Sequence, residues 1–286
     1  MVQSIYKSAA GEQTVMALYE ARLRRWPVPY TTLNVPTRHG QTFAIASGPD
    51  SAPPLVLLHG AGTNATMWAD DVAEYSRRYR VLALDLPGEP GKSAPHRPSW
   101  AGPAYAEWLA DALDALKLDA VAIIGLSQGG WTALKFAVAA PERVCALALI
   151  NPGGIVPDKL SFVVRALPLL LLGRWGIRCM NRMILAGQAV PAEIDEAMTV
   201  IMTHFKGRLG ALPIFTDAEL RRLTMPVQLL TGARDPLRNA RTITARMQQL
   251  APHLSATIVP EGGHALVNSR AYILPFLETL AAESDA

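Results

Sequence analysis

Only two cysteines, Cys145 and Cys179, occur in 286 residues. Two cannot build a disulfide framework, so a reducing compartment, the cytoplasm, is the expected setting. Cys145 stands in an apolar run and reads as a buried thiol. An excess of one charge is missing as well. The 27 Lys and Arg residues against 24 Asp and Glu leave a net +3, too small and too evenly spread to indicate nucleic acid as a partner. No long hydrophobic run is present. The strongest, residues 166–172, is interrupted by Pro168 and bounded by Arg165 and Arg174, far short of the ~20 residues that cross a bilayer. It reads as a buried helix or lid surface, the alternative being a patch that meets lipid or an oily substrate. Residues 1–10 carry no apolar stretch of the secretory kind. Repeats and low-complexity tracts are absent. With 50% hydrophobic and 18% charged residues, the chain can bury a sizeable core, which excludes disordered and collagen-like classes.

The apolar pattern alternates. Residues 11–26 place Val15, Tyr19, Leu23 and Trp26 on one side at helical spacing, and Pro27 and Pro29 end that helix. Strands are expected at 31–35 and 42–47. Continuous apolar runs at 55–58, 81–84, 121–124 and 144–150 have the character of strands covered on both faces. Helical patterns at 66–78, 103–116 and 130–139 lie between them. Such alternation predicts an α/β fold with a parallel sheet. From Pro152 to about Thr224 the pattern is helical, without a convincing strand. A strand at 227–231, a helix at 239–250, a strand at 256–259 and a helix at 271–282 complete the chain. The expected organisation is a core of residues 1–151 and 225–286, interrupted by a helical insertion at 152–224 over the strand ends, where open α/β sheets place ligands.

Gly125, Leu126, Ser127, Gln128, Gly129 and Gly130 follow a buried strand and precede a helix. A serine on so sharp a turn has strained backbone angles and needs small neighbours two residues away. The turn lifts its Oγ clear of the sheet, in front of a helix N-terminus that favours developing negative charge. Serine needs a base. Of six histidines, His264 follows Gly262 and Gly263 just past a strand, where it can reach Ser127. His39 and His253 sit in turns and read as surface residues. His96 has no evident partner, and His204 reads as structural. Asp235, in the loop after the strand at 227–231, is the expected orienting acid; the other acid position, after the strand ending at Ile150, holds Asn151. The chain order Ser127, Asp235, His264 is that of nucleophile-elbow hydrolases. His59, Gly60, Ala61 and Gly62 form a Gly-rich loop after another strand. The backbone N–H groups of Ala61 and Gln128 are the candidate oxyanion donors, with His59 fixing the loop.

Through these motifs, together with Asp85, Leu86, Pro87 and Gly88, and with Gly232 and Ala233 before Asp235, the chain resembles the α/β-hydrolase superfamily over most of its length. Trp26 to Tyr30 and Gly88 to Ser93 are similar to a bacterial carboxylesterase-like subgroup with an extra N-terminal helix. The resemblance implies an eight-stranded, mostly parallel sheet with a helical cap after the sixth strand. It also implies a serine hydrolase of small to medium carboxylic esters, with Ser127, His264 and Asp235 as triad and no cofactor or metal. The loop after Asp85 departs from the commoner form: Pro87 replaces Arg, and Glu89 and Pro90 add a residue, which is expected to reshape one wall of the site. A lactone, thioester or C–C substrate, or a receptor that keeps the fold, are the open alternatives. The expected partner is a small-molecule ester, with no nucleic acid and no membrane span; oligomeric state, a homodimer included, stays open.

Overall fold

The structure, a computed structural model, describes residues 4–208 and 210–284. Eight strands form one sheet: β1 Tyr30–Val35, β2 Thr42–Ser47, β3 Pro54–Leu58, β4 Arg80–Leu84, β5 Val121–Leu126, β6 Val144–Ile150, β7 Val227–Gly232 and β8 Ser255–Val259. Their order is β1-β2-β4-β3-β5-β6-β7-β8. β2 runs antiparallel to β1 and β4, and the remaining pairings are parallel. The helices are α1 Ala9–Leu23, α2 Val72–Tyr75, α3 Ala104–Ala115, α4 Gln128–Ala139, α5 Leu160–Leu170, α6 Gly173–Ile184, α7 Ala192–His204, α8 Asp217–Leu220, α9 Ala240–Leu250 and α10 Arg270–Ser284.

The continuous apolar runs serve two cores at once, because successive side chains of a strand point to opposite faces. Val56 and Leu58 of β3 meet Leu82, Ile123, Trp108 of α3 and Trp131 of α4. Leu55 and Leu57 meet Val81, Ile124, Trp68 and Tyr75 on the other side, where α1 and α10 also pack. Each such side chain contributes about 1.5–3 kcal/mol on burial.

In three segments the structure departs from expectation in the kind of element or in what is buried. The helix expected at 66–78 is a 3-10 turn, Ala65–Asp70, followed by the single turn α2. The Asp85 carboxylate takes the Ala65 N–H at 2.7 Å and the Asn64 side chain caps Thr66, so the segment starts as a tight turn. Cys145 is exposed rather than buried. The β5–β6 register passes from Val121 opposite Val144 to Ala122 opposite Ala146, leaving Cys145 unpaired and turned outward. Of the readings of the apolar run at 166–172, the buried helix fails: Ala166 is buried, but Leu167, Leu170, Leu171 and Leu172 are exposed.

Between β6 and β7 lie α5, α6, α7 and α8, and no strand among the described residues. This segment is fastened to the N-terminus. Lys7 N–H donates to His204 O, and Lys206 N–H to Ile5 O, both at 2.8 Å. Val15 of α1 packs there with Ile5, Tyr6, Ile201 and Phe205.

Candidate active site

β3 and β5 are neighbours, with Leu58 opposite Gly125, so the loops that follow them flank one crevice. The chain leaves β3 toward β4 on one side and continues from β5 on the other, the arrangement in which α/β sheets hold ligands. Ser127 sits at the tip of the β5–α4 turn with φ 52° and ψ −107°, a backbone state that L-residues rarely adopt. The turn is packed too tightly for larger neighbours. A Cβ on Gly125 would come within 2.6 Å of Gly129 O, and one on Gly129 within 2.2 Å of Leu58 O. Helix α4 therefore starts at Gln128, two residues before the 130 expected from its pattern.

The expected residues converge. His264 Nε2 lies 2.8 Å from Ser127 Oγ, and His264 Nδ1 lies 2.9 Å from Asp235 Oδ2. All three side chains are buried. The second Asp235 oxygen accepts the N–H groups of Leu237 at 2.7 Å and Arg238 at 3.2 Å. Burial disfavours the charged form of Asp235, but His264, the Leu237 N–H and Arg238 outweigh it and hold its pKa below the usual carboxylate value.

Ala61 and Gln128 both line the cavity in front of Ser127. Among the described residues, neither of their backbone N–H groups donates to a protein acceptor. The loop carrying Ala61 is braced by His59. Its Nε2 accepts the Leu86 N–H at 2.9 Å and its Nδ1 donates to Gly60 O at 2.8 Å. That pattern requires the neutral ring, and burial lowers the His59 pKa to about 4. Of the other histidines, His253 is held by Met225 O at 3.0 Å, and His39 stacks on His96.

Three polar residues at the site escaped the motif reading. Asn151, buried and at φ 42°, ties together the ends of β6, β7 and the His264 loop. Arg238 is buried with Nη1 3.5 Å from Ser127 Oγ and 3.1 Å from Asn151 O, while its Nε donates to Asp158 at 2.7 Å. Glu89, from the loop with the added residue, turns inward. It accepts the Gly62 N–H at 2.7 Å and the Gln128 side chain at 3.2 Å. Burial raises its pKa to about 7 against those donors. The signals in the sequence were the unusual loop length around Glu89 and the place of Asn151 at the second acid position.

The cavity measures about 950 Å3. Its floor is the strand ends. Its walls include Tyr19 and Arg22 of α1, Phe162 of α5, Met180 and Ile184 of α6, and Ile194 and Met198 of α7.

This fold and this arrangement at the strand ends define a class. Residues 55–272 match the Alpha/beta hydrolase family, and the chain belongs to that family. It is 34% identical over 257 residues to the uncharacterized carboxylesterase nap of Bacillus subtilis, covering 87% of this chain and 85% of that one. It is 30% identical over 280 residues to the carboxylesterase YbfK of the same organism, covering 93% of each. The crystal structure of naproxen esterase (carboxylesterase NP) from Bacillus subtilis superposes with a TM-score of 0.83 at 30% identity, covering 96% of this chain and 99% of that one.

Proposed function

We propose that this carboxylesterase-type hydrolase cleaves small to medium carboxylic esters through an acyl-enzyme intermediate. The observation that carries the reading is the hydrogen-bonded row from Ser127 through His264 to Asp235. Ser127 Oγ adds to the ester carbonyl carbon as His264 Nε2 takes the hydroxyl proton. The carbonyl oxygen becomes an oxyanion, held by the N–H groups of Ala61 and Gln128. The bond from carbon to the leaving oxygen then breaks, and the alcohol departs with the proton from His264. Water adds to the acyl carbon by the same route, giving up a proton to His264, and Ser127 leaves with it as the carboxylic acid is released. Asp235 fixes the imidazole with its proton on Nδ1, so that Nε2 faces Ser127. Arg238 adds a fixed positive charge beside the nucleophile.

In this reading residues 152–224 act as a cap, and α5, α6 and α7 shape the acyl pocket. The ester-hydrolase names of the relatives in Bacillus subtilis support the substrate class. A fluorophosphonate probe tests the assignment. Labelling at Ser127, with turnover of p-nitrophenyl acetate that labelling abolishes, is the expected result. Turnover that persists in fully labelled protein would remove Ser127 as nucleophile, and tight ester binding without turnover would favour a receptor. Lactones and thioesters in the same screen separate the remaining substrate classes.

A further inference from the structure

Exposed apolar side chains concentrate on one surface. Between residues 160 and 175, eight large apolar side chains are at least half exposed, with Leu171 at 87%, Leu160 at 74% and Trp175 at 64%. Among the described residues, the other exposed ones, Tyr30, Ile214, Val267 and Tyr272, are scattered and each less than half exposed. Isolated apolar residues at a surface are ordinary, whereas a contiguous set marks a docking face.

Helices α5 and α6 pack against each other and divide their side chains by face. Phe162 and Ala166 of α5 and Ile177 and Met180 of α6 point inward. Leu160, Val163, Val164 and Leu167 occupy the outward side of α5. On α6 the outward positions 174, 175, 178 and 182 recur at helical spacing and are Arg, Trp, Arg and Arg. Between Asp158 and Glu193 the chain has no acidic residue but five cations, Lys159, Arg165, Arg174, Arg178 and Arg182. Lys159 turns inward to Asp235 O, which leaves four arginines outside. Arg174 and Arg178 share the single carboxylate of Glu196. The surface is therefore apolar and cationic together, the combination that settles a helix pair on an anionic lipid headgroup layer. A second copy of this chain fits it less well, because a two-fold interface uses the same patch from both copies and would bring two sets of these arginines together.

We propose that the α5–α6 face docks the protein on anionic lipid surfaces and that its substrate is a lipid-soluble ester taken up from them. The substrate half rests on the ester-hydrolase reading. Its geometric basis is that Phe162, Met180 and Ile184 line the cavity from the opposite side of the same two helices. An ester dissolved in the membrane would enter past the helices that touch it. No helix among the described residues is long and apolar enough to cross a membrane.

Co-sedimentation with vesicles tests the docking. Phosphatidylcholine vesicles are compared with vesicles in which about a third of the lipid is phosphatidylglycerol, using Ser127→Ala protein so that no ester is consumed. Binding to the anionic vesicles alone, weakened by salt, is expected. It should fall roughly tenfold or more in a Leu167→Asp, Leu171→Asp double variant and in an Arg165→Glu, Arg182→Glu double variant. In an otherwise unaltered Ser127 background, both should hydrolyse p-nitrophenyl acetate at the parent rate, which also reports that they are folded. Equal sedimentation with and without vesicles overturns the proposal. So does a dimer in sedimentation velocity that both variants dissolve, which would give the face to a second copy. Vesicle binding by a protein that turns over no ester would remove the ester-hydrolase reading and leave the docking intact.

Discussion

Asn151 holds His264 by its main chain. Its side-chain N–H group donates to His264 O at 2.7 Å and to Gly263 O at 3.0 Å, while its Oδ1 accepts the Gly232 N–H at 2.9 Å. One buried amide thus joins the end of β6 to the loops that carry the candidate base and acid. Its φ of 42° suits asparagine, which tolerates the left-handed region better than most side chains. An aspartate would reach the same point with the wrong chemistry, since a carboxylate has no donor for two carbonyl oxygens.

Asn151→Asp is therefore expected to lower stability by about 3 kcal/mol in urea unfolding near neutral pH. It should not restore activity to an Asp235→Asn protein. Recovery in that double variant would show that the β6 position can serve as the acid.

Asp235→Asn alone should reduce kcat on the order of 10⁴-fold, because an amide holds the imidazole in the wrong tautomer. Ser127→Ala should lose a comparable or larger factor while keeping its fold, as the Cβ it retains is already accommodated by the turn. Steady-state kinetics on p-nitrophenyl acetate read both. A loss of only a few-fold for Asp235→Asn would make that residue a turn-former at the start of the α9 loop.

Leu170 and Leu171 make the limits of sequence reading concrete. Their apolar character suggests that polar substitution there would disturb binding of longer acyl chains, yet both point to solvent. The pocket is lined instead by Ile194 and Met198 of α7. Ile194→Asn and Met198→Asn are expected to raise KM for p-nitrophenyl octanoate roughly tenfold relative to acetate. Leu171→Asn should leave that ratio unchanged. An unchanged ratio in the α7 variants would move the acyl pocket elsewhere in the cavity.

The sheet was legible because a strand buried on both faces must be apolar along its buried length, as β5 is throughout and β3 and β4 are after their first residue. Ser127, Asp235 and His264 were legible because each is followed or preceded by glycines or turn residues at a strand's end. The facing of α5 was not, since exposure depends on what packs above a helix and not on its own residues. Glu89, by its loop length, and Asn151, by its position, were marked in the sequence, but what they and Arg238 hold was illegible for another reason. Their partners lie far away in sequence: Gly62 for Glu89, Ser127 for Arg238 and His264 for Asn151. A polar residue with a remote partner has no local signature. The tethering of the inserted helices was equally hidden, because His204 meets Lys7 only once the chain has folded.

Glu89 gives the clearest pH dependence. Its pKa rises from the ordinary glutamate range to about 7, chiefly because burial penalises the charged form. In the window between roughly pH 4.5 and the folded value, the folded protein holds a proton that the unfolded chain has released. Stability contributed by this group is thus complete at low pH and declines as pH rises through that window. Glu89→Gln keeps an oxygen for the Gly62 N–H and cannot ionise, so the variant escapes the decline. Its stability relative to the parent should grow by about 2 kcal/mol between about pH 5.5 and pH 8.5 in urea unfolding. Subtracting parent from variant cancels the other titrating groups, including buried Asp85, whose pKa is also raised by burial, to about 6. Glu89→Ala differs in losing the acceptor itself. Freed from it, the loop that presents the Ala61 N–H loosens, and kcat is expected to fall roughly tenfold with KM little changed, since the oxyanion forms only after binding. A constant stability gap across pH in the glutamine variant would show that Glu89 is charged throughout, and unchanged kcat in the alanine variant would separate Glu89 from the oxyanion loop.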